Sequence, residues 1–201
     1  MVEEKSGDIP SFKVSVSDYL PHGYRVYLRL FHTLQMADLT DISWSEIGLQ
    51  FGGTLTGLTD LGEFWSCLID TANVTPTPDG VMPDRLCARL VDLLAHYTAT
   101  PDECEFLFSS SWASLLPRDR DLYQDPLRGS EYQRTIGHIS DACTLSVSPT
   151  IWSPVDKKWM VVTPLDAGWS LVGCDELAAD ALTNDPTIEA FAVSLNDELV
   201  L

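Results

Sequence analysis

The chain has 201 residues, 45% of them hydrophobic, and a formal net charge of −18. That length lets a globular protein bury its own core without a metal or disulfide, and the negative charge disfavours nucleic-acid binding. No apolar run is long enough to span a membrane, and residues 1–13 lack the basic and apolar regions of a signal peptide, so we expect a cytoplasmic protein without membrane binding.

The cysteines and histidines do not form a metal-binding pattern. No C-x-x-C, H-x-x-x-H or H-E-x-x-H motif occurs. We therefore expect no metal and no cofactor, with reduced cysteines that serve as small core residues. The five cysteines are Cys67, Cys87, Cys104, Cys143 and Cys174.

The N-terminal part predicts a tail, a hairpin and a short helix. Residues 1–11 are polar and are expected to form a flexible tail, and residues 12–201 a single domain. Apolar and polar residues alternate in FKVSVSDYL and YRVYLRLFHTL, which predicts two strands joined at Pro21–Gly23 as an antiparallel hairpin. Ser43 or Asp41 could cap a helix over WSEIGLQF, and LGEFWSCLID also has helical spacing, followed by the proline-rich linker TANVTPTPDGVM.

The middle of the chain contains the clearest helix. Pro83 and Asp84 suit the first turn of a helix that runs to Thr98, and its leucines recur at helical spacing. CEFLFSSSW then predicts a strand, LPRDRDLYQDPLRGS a loop and EYQRTIGHI another strand.

The final third predicts a hairpin, a helix and a last strand. The segment DKKWMVVTPL reads as a strand, residues 166–168 as a turn and WSLVGC as the returning strand. Asp175 begins the helix DELAADALTN, and TIEAFAVSL follows as a strand. Strands and helices are mixed without a regular βαβ rhythm. The whole pattern predicts an α+β domain with a mainly antiparallel sheet and several packed helices.

A resemblance covers most of the chain. The chain contains IWSPVDKKWMVVTPLD, followed by LVGC, a helix and DPTIEAFAV. This order of segments resembles the C-terminal part of a family of uncharacterised actinobacterial proteins. The pattern of that family is W-x-P-x-D-[RK]-x-W-x-V-x-T-x-x-D, then V-G-G and D-P-x-L-E-A. Three segments nearer the N-terminus are similar to that family as well: GYRVYLRLFHTL, ISWSEIG and MPDRLCARLVDLLAHYTATPDECEF. Cys174 stands where the family has its second glycine. The resemblance implies an intracellular actinobacterial protein and brings no known activity.

Catalytic signatures are missing from the sequence, so we name no catalytic residues and lean away from an enzyme without excluding one. No G-x-S-x-G motif occurs, and no spacing groups a serine with a histidine. The four histidines are isolated. His32, at a strand end, is the most interesting of them, and a bond to the backbone is its simplest explanation.

The stretch WSPVDKKWMVVTPLDAGW holds the candidate binding residues. Two interpretations remain open for it. The tryptophans could be core residues whose N–H groups bond carbonyls or carboxylates, with Asp156 capping backbone N–H groups of a turn. Alternatively, the aromatic and lysine side chains could form a recognition patch. The candidate partner-binding residues are Trp152, Asp156, Lys157, Lys158, Trp159, Asp166 and His32.

The charge distribution suggests a partner. Residues 35–84 and 159–201 each contain eight acidic residues and neither Lys nor Arg. An acidic surface attracts a basic protein and speeds its association. The leading hypothesis is therefore a non-catalytic interaction protein, like an immunity protein or adaptor, that binds a basic protein partner. An enzyme or small-ligand-binding protein with an unrecognised site, and a structural subunit that associates through strand edges, are the alternatives.

Overall fold

A large antiparallel sheet forms the middle of the structure, a computed structural model that describes residues 12–36, 40–50, 52–62, 74–75, 80–111, 121–125, 129–144, 147–165 and 167–201. The strands in these ranges are β1 Lys13–Ser15, β2 Val26–Phe31, β3 Leu34–Met36, β4 Asp41–Ile42, β5 Val74–Thr75, β6 Cys104–Ser109, β7 Asp121–Gln124, β8 Glu131–Gly137, β9 Ile151–Pro154, β10 Met160–Val162, β11 Trp169–Cys174, β12 Glu189–Val193 and β13 Glu198–Val200. The α-helices are α1 Trp44–Gln50, α2 Asp84–Leu94 and α3 Glu176–Thr183. Short 3-10 turns cover Val16–Asp18, Ala95–Tyr97 and Ile139–Cys143.

Eight strands pair in the order β12–β2–β11–β10–β9–β6–β8–β7, and each pair of neighbours in this order is antiparallel. Two smaller sheets, β1–β13 and β4–β3–β5, lie beside this central sheet. The predicted α+β class with a mainly antiparallel sheet is confirmed.

Both faces of the central sheet are covered, and this explains the composition of its inner strands. In β2, Leu28 and Leu30 belong to one hydrophobic cluster, whereas Tyr27 and Phe31 belong to another on the opposite face. All six residues of β11 are buried. A strand between two apolar layers carries apolar residues on both sides, so it loses the polar–apolar alternation typical of a half-exposed strand.

Helices α2 and α3 cover the first face. In α2, Leu86, Leu90 and Leu94 recur every four residues and are buried against the sheet. Asp175 caps α3 because its carboxylate accepts a bond from the Ala178 N–H at 2.9 Å. The predicted helices over residues 83–98 and 175–184 are confirmed, with the last turn of the first in 3-10 geometry.

The second face is covered by α1 and by the paired strands β1 and β13. Ser43 and Glu46 form a reciprocal cap at the start of α1, with the Ser43 N–H donating to Glu46 Oε2 at 2.9 Å and the Glu46 N–H to Ser43 Oγ at 3.1 Å. Val14 and Leu199, from β1 and β13, join the cluster that contains Trp169.

The predicted hairpin between residues 12–20 and 24–34 is wrong. β1 pairs with β13, and β2 pairs with β11 and β12. The physical reason is local: Ser15 and Asp18 form a capping box that starts the 3-10 turn Val16–Asp18 and ends the first strand early.

Other boundaries also differ from the predictions. Residues 155–158 form a turn, so β10 begins only at Met160. The predicted loop over residues 116–130 contains β7, and β13 was not predicted. The predicted tail at residues 1–11, most of the predicted helix at 61–70 and most of the linker at 71–82 lie outside the described residues.

Candidate functional site

Trp152 and Trp159 are core residues. Their side chains are 1% and 0% exposed, and their rings meet edge to face with centroids 5.3 Å apart. The Trp159 indole N–H donates to the Leu94 carbonyl at 3.1 Å, which ties β10 to the end of α2. Trp152 Nε1 has no hydrogen-bond partner. The burial of both indoles favours the core interpretation, and a contact of these two tryptophans with a partner stays a prediction.

His32 is buried as well, at 1% exposure, and its partner is not the predicted backbone group. Its Nε2 lies 2.8 Å from the Ser170 hydroxyl, which in turn lies 2.8 Å from the Thr163 hydroxyl. Burial lowers the pKa of His32 to about 3, so the imidazole is neutral. Since Ser170 and Thr163 are also fully buried, this polar chain has no contact with an external substrate.

Asp156 holds the turn between β9 and β10. Its carboxylate accepts bonds from the Thr98 hydroxyl and the Ala99 N–H, both at 2.9 Å, and from the Lys158 N–H at 3.2 Å. Partial burial alone would raise the pKa of Asp156, but these bonds outweigh it and lower the pKa. The prediction that Asp156 caps backbone N–H groups in a turn is confirmed. Asp166 lies outside the described residues.

A cleft beside this turn gathers positive charge. Lys157 and Lys158 from the turn face the segment Pro21–Arg25, which precedes β2, across the end of β11. The cleft has a volume of about 550 Å³. Its charged or titratable lining residues are His22, Arg25, Lys157, Lys158 and Asp175, together with Tyr24 and Cys174.

The register of the sheet explains why these distant segments meet. Met160 pairs with Gly173, Cys174 pairs with Val26, and the Arg25 N–H donates to the Cys174 carbonyl at 3.2 Å. The starts of β2 and β10 therefore lie at the same end of the sheet as the last residue of β11. The sequence pointed to the lysines, but nothing in its spacing pointed to His22 or Arg25.

Tyr24 forms part of the cleft wall and depends on a glycine. Its ring lies directly over Gly173, where a methyl group would overlap the ring atoms. Burial, and then the neighbouring Tyr27, raise the pKa of Tyr24, so its hydroxyl keeps its proton at neutral pH. A neutral phenol can donate a hydrogen bond to an anion.

Lys157 is held in an uncommon conformation. Its φ of 53° is the only positive value at a non-glycine residue in the part of the chain that the structure describes. A left-handed conformation costs a non-glycine residue about 1 kcal/mol. The ammonium of Lys157 donates to Glu105 Oε2 and Ser153 Oγ, both at 2.9 Å, and these bonds fix the side chain at the rim of the cleft. Arg134 binds the other oxygen of Glu105 at 2.6 Å.

Arg29 is a positive group outside the cleft, on the face of β2 that carries Tyr27 and Phe31. It is fully buried between the rings of Phe31 and Trp169, at 4.7 and 4.8 Å, and donates to the carbonyls of Gly57 and Thr59. Burial lowers the pKa of Arg29 to about 9, so the guanidinium stays protonated at neutral pH. Its visible role is to hold the 57–59 loop against the sheet.

The chemistry of the cleft is that of an anion-binding site. Its positive groups and phenol can pair with a carboxylate or phosphate, and its volume lies within the range of small-molecule sites. A second cavity, of about 380 Å³, is lined by Ser109, Ser110 and Thr150 and has Glu131 as its charged residue, so it lacks this complementarity. Within the described ranges, no three His, Cys, Asp or Glu side chains are grouped so that they could hold a metal ion.

Comparisons with family models, curated proteins and solved structures found no match to this chain. The resemblance to uncharacterised actinobacterial proteins therefore stays a prediction. No helix in the described part of the chain has both the length and the apolar character needed to cross a lipid bilayer.

Proposed function

We propose that this protein is a non-catalytic binding protein whose cleft recognises an anionic group, a carboxylate or phosphate, on a small ligand. One observation carries the proposal. In a chain with a net charge of −18, Arg25, Lys157 and Lys158 come from two distant segments and line one cleft. Like charges placed close together repel each other, and Asp175 is the one carboxylate that lines the cleft, so an anion that binds between these groups would relieve the repulsion.

The positive groups differ in their freedom to bind. Lys157 is already bonded to Glu105 and therefore contributes a fixed charge at the rim. Arg25 approaches Glu176 only at 3.9 Å, and both side chains are more than 70% exposed, so this contact is weak and easily exchanged for a ligand. Lys158 is exposed, and its ammonium can turn towards an anion. Arg25 and Lys158 are thus the residues expected to contact the ligand directly.

The test is a calorimetric titration with inorganic phosphate and with citrate at low and moderate salt. The double variant Arg25→Gln/Lys158→Gln should bind about a hundredfold more weakly, because each of the two lost charge-assisted hydrogen bonds contributes about 1.5 kcal/mol or more. Lys13→Gln is the matched control, since Lys13 is exposed, pairs with Glu198 at 3.4 Å and does not line the cleft. Equal binding by the double variant and the control, or no binding of either anion by the wild type, would contradict the proposal.

A second candidate function is the binding of a basic protein partner at the helical face, the surface formed by α2 and α3. Asp84 and Asp92 of α2 and Asp180 of α3 are exposed. The two arginines of α2 are already paired, Arg85 with Asp41 and Arg89 with Asp185, both at 2.7 Å. Their charges are therefore offset, and the carboxylates of this face are free to attract cations.

An affinity pull-down at low and moderate salt tests this second candidate. A single stoichiometric basic protein that elutes as salt rises, and that the variant Asp92→Asn/Asp180→Asn fails to retain, would support it. Asp197→Asn, an acid on the opposite side of the central sheet from α2, is the control. If both variants retain the protein equally, the helical face is not its binding surface. A mass measurement in solution tests the remaining alternative, a homo-oligomer joined through the edge strands β7 and β12.

A further inference from the structure

Two cysteines from different elements touch one another. Cys87 lies in α2, and Cys143 ends the 3-10 turn Ile139–Cys143 that packs against this helix. Their sulfur atoms are 2.6 Å apart, although both residues are free thiols. The length of a disulfide bond is about 2.04 Å, so little movement separates the contact from a covalent link.

The other described cysteines lack such a neighbour. The sulfur of Cys104 lies 3.8 Å from the Pro101 carbonyl and 4.0 Å from that of Thr100, and burial raises its pKa to about 11. Burial also raises the pKa of Cys174, to about 12. Both are inert core thiols of the kind that the sequence predicts for all the cysteines.

The two touching thiols are unequal in access and in acidity. Cys87 is 2% exposed, whereas Cys143 is only partly buried. The hydrogen bond between them lowers the pKa of Cys143 and raises that of Cys87, because the Cys87 thiol stabilises a thiolate on Cys143. The partial burial of Cys143 acts against this lowering of its pKa, and so do the carboxylates of Asp84 and Asp92, which also disfavour anionic reagents nearby.

We propose that Cys87 and Cys143 form a reversible intramolecular disulfide, with Cys143 as the attacking thiol and a small-molecule disulfide as the oxidant. The Cys143 thiolate attacks one sulfur of the reagent, breaks its S–S bond and releases one thiol. Cys87 then loses its proton, attacks the Cys143 sulfur of the mixed disulfide and releases the second thiol. The two cysteines lose two electrons and two protons in total, and the reagent is reduced to two thiols. This site is independent of the anion-binding cleft and extends the proposed function with a redox-sensitive link between α2 and the 139–143 turn.

The test treats the folded full chain with cystamine, a cationic disulfide, followed by alkylation of the remaining thiols under denaturing conditions and mass spectrometry. The expected product carries three alkyl groups instead of the five of the fully reduced chain, and its protein part is lighter by two hydrogen atoms. Trypsin should release residues 86–89 cross-linked to residues 135–157. Dithiothreitol should restore the starting mass. Oxidised glutathione, which is anionic, should react several-fold more slowly at low salt, and the difference should shrink as salt rises.

Matched serine variants distinguish this pair from general oxidation. Cys143→Ser should abolish the cross-link, whereas Cys174→Ser should leave it intact. Cys87→Ser should stop the reaction at the mixed disulfide on Cys143, which adds one reagent thiol to the mass. If cystamine links other cysteines, if it links this pair only after the protein is unfolded, or if Cys143 stays fully available for alkylation, the proposal is overturned.

Discussion

Replacing His32 with glutamine should remove a specific part of the acid sensitivity of the fold. Burial holds the pKa of His32 at about 3, against about 6.5 for an unfolded chain, so folding favours the neutral imidazole. A histidine with a depressed folded pKa stabilises the fold fully above the unfolded pKa. This contribution is lost as the pH falls from about 6.5 towards 3, because only the unfolded chain then gains the proton.

The magnitude follows from the two pKa values. Between about pH 7 and pH 5, linkage removes about 2 kcal/mol of unfolding free energy, since the full slope is about 1.4 kcal/mol per pH unit below the unfolded pKa. Urea unfolding followed by tryptophan fluorescence at both pH values measures this loss. His32→Gln should lose about 2 kcal/mol less than the wild type across the same interval, even if the substitution lowers stability at both pH values.

His96→Gln is the control, because His96 is exposed at the end of α2 and its replacement leaves the buried chain untouched. This variant should follow the pH dependence of the wild type. A parallel decline of stability in the wild type and in His32→Gln would refute the reasoning, since it would show that His32 does not keep a low pKa in the folded protein.

The remaining predictions concern other parts of the fold. Asp156→Ala should lower the free energy of unfolding, measured in urea at neutral pH, by about 2 kcal/mol, because three hydrogen bonds are lost. The difference in unfolding free energy between wild type and variant should become smaller as the pH falls through the lowered pKa of Asp156, because the wild-type carboxylate is then protonated. Arg29→Leu should change the free energy of unfolding by less than about 2 kcal/mol. The loss of the hydrogen bonds of Arg29 is offset because a charge that is costly to bury is removed as well. Hydrogen exchange in residues 57–59 should nevertheless accelerate, and unchanged protection there would count against the anchoring role. The oxidised form, linked between Cys87 and Cys143, should melt about 10 °C higher in calorimetry, because closing a loop of this length contributes about 4 kcal/mol; an unchanged melting temperature would indicate strain in the bridge.

Local patterns in the sequence were sufficient for the helices. The apolar spacing of α2, the Ser43–Glu46 cap of α1 and the Asp175 cap of α3 all depend on residues within one or two turns, so they can be recognised without knowing the rest of the fold. The α+β class followed from the mixture of these helices with strands.

Strand partners could not be predicted in the same way. The alternation in β1 and β2 correctly indicated extended chain, but it contains no information about which strand lies beside another. Arg29 shows the same limit, because whether the second face of β2 is covered depends on segments elsewhere in the chain.

The candidate site was predictable only in part. Lys157 and Lys158 were singled out, but their tryptophan neighbours proved to be core residues, because an indole serves a core and a recognition surface equally well. The cleft itself arises when the register of β2, β10 and β11 brings Arg25 to the lysines, and such a register is a property of the assembled sheet.

The pairing of β1 with β13 has a consequence for the order of events during synthesis. Lys13 to Ser15 pair with Glu198 to Val200, so Val14 and Val16 lack their final cover until residues 198–200 have been synthesised. The contact between α2 and the 139–143 turn joins segments much closer in sequence, so it can form earlier. The nascent chain should therefore expose this apolar surface until residues 198–200 emerge, and a chaperone that binds hydrophobic segments is expected to engage it there.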